Sequence, residues 1–126
     1  MSDSLISADL IIEAVFEDIT VKHEVFQKIE AYARADALLA SNTSYLDIDA
    51  IAAKTANPSR VFGLHFFSPA QVMKLIEIVR CKATSAVAVA TGLSFAKQIA
   101  DLHNASINIV NNSEGAAVEL KFKLEV

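Results

Sequence analysis

The chain has 126 residues, a length that one globular domain fills. Its net charge is −4, and its 11 basic residues form no cluster, which argues against a nucleic-acid backbone as partner. A hydrophobic share of 53% excludes disorder, while no apolar run approaches the roughly 18 residues that a membrane span needs. The acidic N-terminus is unlike a signal peptide, and a single cysteine, Cys81, excludes an internal disulfide. We therefore expect a cytoplasmic protein with no membrane partner.

Glycine is scarce in this chain, which has only Gly63, Gly92 and Gly115. These three positions fit neither the G-x-G-x-x-G spacing of dinucleotide-binding loops nor the G-x-x-x-x-G-K spacing of P-loops. Both loops hold phosphates on backbone N–H groups that only glycine leaves accessible. We therefore expect the chain to form no glycine-rich pyrophosphate cradle of its own.

The hydropathy pattern along the chain predicts strands that alternate with helices. Short apolar runs predict buried strands, and apolar residues at helical spacing predict helices. The strands are predicted over 9–15, 37–42, 60–67 and 73–79, and the helices over 19–33, 47–55 and 84–101. This alternation is typical of an α/β fold with a mostly parallel sheet.

The C-terminal region has a different pattern. Residues 106–110 predict a strand, residues 111–115 are typical turn residues, and residues 118–126 alternate between apolar and polar side chains without a break. The region therefore predicts a β-hairpin or an edge strand. We expect the alternating strand at an edge, because a strand with one solvated face rarely lies in the centre of a buried parallel sheet.

Polar side chains gather where the predicted strands end. Asn42, Ser44 and His65 lie at such carboxyl ends, which is where open α/β sheets bind ligands. Glu77 interrupts an apolar strand, and a buried carboxylate is costly unless it is paired. His65 with Glu77 would form a general base and the group that orients it. The alternative is a histidine that bonds only to backbone at a strand end.

Other polar residues carry weaker signals. We expect Glu17 and Lys22, which lie near a helix start, to be solvated charges, although they could flank a ligand at a strand end. Cys81 predicts a lone surface thiol. His23 and His103 have no cysteine or carboxylate at ligand spacing, so we expect no metal site.

Five segments, in the same order and at similar separations, resemble the NAD-binding domain of L-3-hydroxyacyl-CoA dehydrogenase, an enzyme of fatty-acid β-oxidation. The resemblance extends from about residue 8 to about residue 99 and implies a Rossmann-like three-layer fold. The five segments are Asp9–Asp18, Val21–Phe26, Ser41–Leu46, Gly63–Pro69 and Met73–Val79.

This resemblance implies roles for individual residues. His65 would be the general base that takes the proton of the substrate's 3-hydroxyl as hydride passes to the nicotinamide. Glu77 would orient His65 and balance its charge, and Ser44 would bind the substrate oxygen of an acyl-CoA. The cofactor and substrate site would be lined by four further residues, Ala14, Glu17, Lys22 and Asn42.

The resemblance also has limits. The family's first βαβ unit, with its glycine-rich loop, would lie before residue 1, and the family's Pro-Gly-Phe motif and catalytic asparagine do not follow residue 100. We therefore expect residues 1–100 to form a partial NAD-binding domain and residues 101–126 to be a strand-forming tail from outside the family. We also expect NAD to bind weakly or not at all.

Three interpretations stay open at this point. The chain could be a dehydrogenase fragment that is inactive alone, a non-catalytic self-associating module with a relic site, or the product of a truncated gene. In each of them the first strand, residues 10–15, is too apolar for a solvent edge. We expect the tail or a second copy to cover it, as in a homodimer with or without exchanged strands.

Overall fold

A computed structural model describes residues 2–43, 46–66, 75–102, 105–112 and 115–122. The helices and strands alternate as predicted, apart from the N-terminal helix, which the sequence pattern does not indicate. In chain order the elements are α1 (Ser2–Ser7), β1 (Leu10–Glu13), α2 (Ile19–Tyr32), β2 (Leu38–Ser41), α3 (Ile48–Ala52), a 3-10 turn (Pro58–Arg60), β3 (Val61–Phe66), β4 (Leu75–Arg80), α4 (Ala86–Leu102), β5 (Ala105–Asn112) and β6 (Gly115–Phe122). The predicted α/β class is confirmed.

The strands form one sheet in the order β1-β2-β3-β4-β6-β5. β1, β2 and β3 run parallel to one another, and β4 is antiparallel to β3. Two of the three pairings among these four strands are therefore parallel, in agreement with the prediction. β6 and β5 extend the sheet through antiparallel pairings, so the whole sheet is mixed.

The C-terminal strands pair with each other as a hairpin, although residues 113–114, which connect them, lie outside the described residues. The prediction that the alternating strand lies at an edge is wrong, because β6 lies between β4 and β5. β6 forms hydrogen bonds with β5 along one side and with β4 along the other side. Backbone groups on both strands are satisfied in this way.

β1 forms the other edge of the sheet, opposite the hairpin. The described strands of the tail, β5 and β6, therefore lie away from β1, in contrast to the expectation that the tail covers it. Ile12 in β1 is 36% exposed, and Phe16 in the following loop is 84% exposed. No described helix is both long and apolar enough to cross a membrane.

Helices lie on both faces of the sheet and give three layers. Successive strand residues point to opposite faces, so each of the strands β1 to β4 contributes side chains to two apolar clusters. One cluster lies beneath α4 and includes Ala40, Phe62, Leu64, Ile78, Ala88 and Ala96. The other lies beneath α2 and α3 and includes Ile11, Phe26, Ile29, Leu39, Ile48, Ile51, Ala52, Val61 and Cys81. Burial of each large apolar side chain contributes about 1.5–3 kcal/mol to folding.

Short polar side chains fix where the helices begin. The Asp18 carboxylate accepts hydrogen bonds from the backbone N–H groups of Thr20 and Val21 at the start of α2. Ser85 caps α4 in the same way, through the backbone N–H of Ala88 at 3.1 Å. Such caps satisfy donors that the helix itself cannot satisfy. The Asp18 cap also fixes the end of the β1–α2 loop, residues 14–18, which borders the site described below.

Candidate active site

His65 in β3 and Glu77 in β4 are direct partners in the antiparallel ladder. Side chains of directly opposite residues project from the same face, with their Cβ atoms about 4.5–5.5 Å apart. Gly63 and Val79 form the next pair on that face, where Val79 packs against the cluster beneath α2 and α3. His65 and Glu77 therefore project on the α2–α3 face, and both are half-buried. The two residues that the sequence singled out are neighbours.

Gly63 lets α3 lie close to the strand that carries His65. A Cβ at Gly63 would come within 3.0 Å of both Ile48 Cδ1 and Val79 Cβ. Any side chain there would press on the helix or on the neighbouring strand. The glycine thus serves close packing, two residues before His65.

A buried ion pair lies at the carboxyl ends of β1 and β2. Lys22 Nζ is 2.6 Å from Glu13 Oε1, and the two side chains are 0% and 1% exposed. Ser41 Oγ donates to Glu13 Oε2 at 2.5 Å, and the backbone N–H of Val15 donates to Glu13 Oε1 at 2.6 Å. The prediction that Lys22 is a solvated charge is wrong. Lys22 lies buried in the first turn of α2, and Glu13 at the end of β1 provides its counter-charge.

Glu17 links this ion pair to the next loop. Its Oε1 is 3.3 Å from Lys22 Nζ, and its Oε2 accepts a hydrogen bond from Thr43 Oγ1 at 2.8 Å. The Glu17 side chain is 28% exposed, so it is neither buried nor simply solvated. It is the member of the group that reaches towards the surface.

Of the remaining predicted site residues, the structure describes Asn42 and Ala14, and both lie at this end of the sheet. The backbone N–H of Asn42 donates to the Glu13 carbonyl at 2.8 Å, and its side chain is half-buried. Ala14 is exposed in the β1–α2 loop. Ser44 lies outside the described residues. Because Ser41 pairs with Gly63, the end of β2 lies beside the part of β3 that leads to His65.

Sequence reasoning missed three residues of this site, Glu13, Ser41 and Thr43. All three are buried and polar. A signal was available for Glu13, which is a carboxylate at the end of an apolar strand. The reasoning that singled out Glu77 applies to it equally. Ser41 and Thr43 carry no such signal, because small hydroxyl residues are common at strand ends.

The other polar candidates lie away from this site. Cys81 is buried rather than a surface thiol, because its Sγ packs 2.9 Å from Thr84 Oγ1 and 3.5 Å from the Val61 carbonyl. A ring nitrogen of His23 is 3.0 Å from the Ala50 carbonyl. His103 lies outside the described residues. Among the residues that the structure describes, no three His, Cys, Asp or Glu side chains are grouped to hold a metal ion.

Helices on both faces of a sheet, with polar side chains at the carboxyl ends of its parallel strands, define a doubly wound α/β domain of the Rossmann type, a class that binds its ligands at this end of the sheet. Within that class the chain belongs to the 3-hydroxyacyl-CoA dehydrogenase family. The family's sequence model, described as "3-hydroxyacyl-CoA dehydrogenase, NAD binding domain", matches residues 1–108. NAD is the cofactor of this family.

Individual relatives agree with this assignment. The chain is 47% identical over 95 residues to the peroxisomal bifunctional enzyme of Cavia porcellus, covering 75% of the chain and 13% of the relative. It is 40% identical over 120 residues to a glyoxysomal fatty acid beta-oxidation multifunctional protein of Brassica napus, covering 95% and 16%. The crystal structure of 3-hydroxybutyryl-CoA dehydrogenase from Escherichia coli superimposes with a TM-score of 0.70 at 45% identity, covering 75% of this chain and 20% of that one. The chain thus spans a small part of these relatives.

Proposed function

We propose that the chain provides the proton-transfer half of a 3-hydroxyacyl-CoA dehydrogenase site in fatty-acid β-oxidation and is inactive alone. The observation that carries this proposal is the pairing of His65 with Glu77 on one face of the sheet. The polar ends of β1 and β2, with Glu17 and Asn42, lie beside it and support a site at this end of the sheet.

The proposed chemistry assigns one task to each residue. The His65 imidazole accepts the proton of the substrate's 3-hydroxyl group while carbon 3, which bears that hydroxyl, loses a hydride. Carbon 3 thereby becomes the ketone carbon of a 3-oxoacyl-CoA. Glu77 holds the ring and balances the positive charge that the imidazolium acquires. Ser44 binds the substrate oxygen. When bound, NAD supplies the acceptor of the hydride.

The described residues fit only part of NAD. Gly63 and Gly92 are packing glycines, since a Cβ on either would come within 3.0 Å of a neighbouring side chain. The N-terminus of α2 already holds the Asp18 carboxylate, which would repel a phosphate. We therefore propose that Glu17, Asn42 and Ala14 border the nicotinamide end, with the buried Lys22 behind Glu17. We also propose that NAD binds weakly or not at all and that a partner segment must supply the pyrophosphate site.

Calorimetry with acetoacetyl-CoA, a 3-oxoacyl-CoA, tests the proposal on the chain itself. Loss of the contact in His65→Ala should weaken binding by about tenfold, as expected for the loss of one hydrogen bond. His23→Ala is the matched control, because His23 lies away from the site. Equal affinity of His65→Ala and the unchanged chain would overturn the assignment. A low-micromolar Kd for NADH would overturn the expected weak cofactor binding.

A second candidate function is a self-associating module that retains the site as a relic. It is favoured by the position of β1 at the edge of the described sheet, where Ile12 is 36% exposed and Phe16 in the next loop is 84% exposed. A second copy could pair with β1 and form a homodimer, with or without exchanged strands. Sedimentation over a concentration series should show a dimer that Ile12→Lys dissociates. A monomer at all concentrations would contradict this function.

Two further expectations belong to the proposal. The free Cys81 thiol suits a reducing compartment such as the cytoplasm. A fluorescent-protein fusion would distinguish the cytoplasm from the peroxisome, after which the Cavia porcellus relative is named. The domain division at residue 100 stays a prediction, and the family match extends to residue 108.

A further inference from the structure

We propose that Glu13 and Lys22 are a buried positioning pair, which holds the Glu17 carboxylate and the two loops that border the site. On this proposal Lys22 does not touch the ligand, which differs from the role that family resemblance suggests for it. The proposal rests on the proposed function only for the identity of the ligand that these loops face.

The surroundings of Lys22 leave its ammonium group no part in ligand binding. Nζ is completely buried and lies 2.6 Å from Glu13 Oε1, 3.2 Å from the Val15 carbonyl and 3.3 Å from Glu17 Oε1. An ammonium group has three N–H donors, and three oxygens of the protein surround this one. A ligand could reach Nζ only by displacing one of them.

Glu13 ties three separate segments together through one carboxylate. It accepts hydrogen bonds from Lys22 in α2, from the backbone N–H of Val15 in the β1–α2 loop, and from Ser41 at the end of β2. Each oxygen has a defined partner, so the carboxylate has little freedom to rotate. A buried charge held in this way is stabilising only while its partners remain.

The chain of contacts continues from the ion pair into the second loop. Lys22 contacts Glu17, Glu17 accepts from Thr43, and Thr43 Oγ1 accepts the backbone N–H of Leu46 at 3.0 Å. The contacts therefore couple the β1–α2 loop to the loop after β2. Glu17 is the partly exposed member of this series of contacts.

Amide hydrogen exchange, measured residue by residue, tests this coupling without any ligand. Lys22→Met should speed exchange at both Val15 and Leu46 by about tenfold, the effect of one lost hydrogen bond. A merely local packing role would affect Val15 and leave Leu46 unchanged, because the polar contacts described above connect Lys22 to the Leu46 amide through Glu17 and Thr43. Unchanged exchange at Leu46 would overturn the proposal.

Further variants keep the test decisive. Glu13→Gln preserves the shape of the side chain and should speed exchange at both Val15 and Leu46. It replaces Lys22→Met in the test if Lys22→Met does not fold. Thr43→Val should speed exchange at Leu46 alone. Lys28→Met is the matched control, because Lys28 is exposed on the same helix, and it should change neither amide.

Acetoacetyl-CoA and NADH affinities then separate the two proposals. If the unchanged chain binds neither ligand but the exchange pattern is as expected, the positioning pair stands and the proposed function fails. If a ligand binds, Glu13→Gln and Lys22→Met should weaken binding by similar factors, and the double variant should be no weaker than either. Loss of binding in Lys22→Met with full binding in Glu13→Gln would show a direct ligand contact and overturn the positioning role.

Discussion

His65 and Glu77 face each other across the antiparallel ladder of β3 and β4, although the other neighbour of β3 runs parallel to it. The reversal at β4 brings two residues that are twelve positions apart in the sequence directly opposite each other on the α2–α3 face. In an antiparallel pair the Cβ atoms of directly opposite residues lie about 4.5–5.5 Å apart, and every second such pair projects on the same face. The site therefore depends on the register of these two strands, and changes that shift the register should affect it first.

Gly63→Ala should destabilise the fold by about 1–3 kcal/mol, the usual cost of overpacking a core. The new methyl group would lie 3.0 Å from Val79 Cβ, which belongs to the paired strand and cannot rotate away. Gly92→Ala is the matched control, because its close neighbour is a ring atom of Phe62 and alanine favours the helix by about 1 kcal/mol. Urea unfolding measures both, and equal stability of the two variants would contradict this account of Gly63.

Phe26→Ala should cost about 3–5 kcal/mol, because Phe26 is 1% exposed in the cluster beneath α2 and its removal leaves a cavity. Phe16→Ala removes the same side chain from a position that is 84% exposed. It should change the unfolding free energy by less than about 0.5 kcal/mol. A similar loss in both variants would show that Phe16 is buried in solution, as a dimer contact would require.

Glu30→Ala should cost about 3 kcal/mol, because it leaves the buried Arg60 guanidinium without its counter-charge. Arg60 Nη2 is 3.1 Å from Glu30 Oε2, and the side chains are 8% and 14% exposed. Arg60 Nη1 also donates to three backbone carbonyls before β2. Chemical denaturation of Glu30→Ala and of Glu24→Ala, an exposed glutamate of the same helix, measures the difference. A loss below about 1 kcal/mol in Glu30→Ala would mean that the pair is solvated.

Asp36 gives a pH-dependent contribution to stability. A hydrogen bond and the charge of Arg34 lower the pKa of the Asp36 carboxyl. Because the folded pKa lies below the unfolded one, Asp36 stabilises the fold above about pH 4 and loses this effect as the pH falls through the folded pKa. The stability difference between the unchanged chain and Asp36→Asn should therefore be small at neutral pH, vanish in acid and shrink with added salt. Thermal unfolding of both proteins from pH 2 to pH 7 measures this difference in stability. A difference that grows as the pH falls would contradict the prediction.

Deletion of residues 113–126 should cause aggregation. The deletion removes β6, which pairs with β4 on one side and β5 on the other, so both strands lose hydrogen-bond partners. Unpaired strand edges recruit other chains. Light scattering during concentration measures the effect, and the full chain is the control. A truncated chain that stays monodisperse would show that the hairpin is dispensable for the sheet.

The sequence predicts local features of this fold better than relationships across the sheet. The helix that begins after Asp18 and the strand that carries His65 follow from the order of apolar and polar residues nearby. Strand order does not, which is why β6 was expected at an edge. The burial of Lys22 depends on Glu13, and that of Cys81 on Thr84 and Val61, and both depend on how separate elements pack. The site was predictable where one residue type stood out in an apolar strand, as Glu77 does.

The sheet has two different edges, and this asymmetry limits how copies of the chain can associate. If β1 of one copy pairs with β1 of another about a two-fold axis, both β1 edges are used and assembly stops at two chains. If β1 of one copy pairs with β5 of another, each complex keeps a free β1 at one end and a free β5 at the other. That head-to-tail arrangement extends into a filament unless the rotation between successive copies closes it into a ring. Fibre growth is thus open to copies that pair β1 with β5, and it is closed to copies that pair β1 with β1.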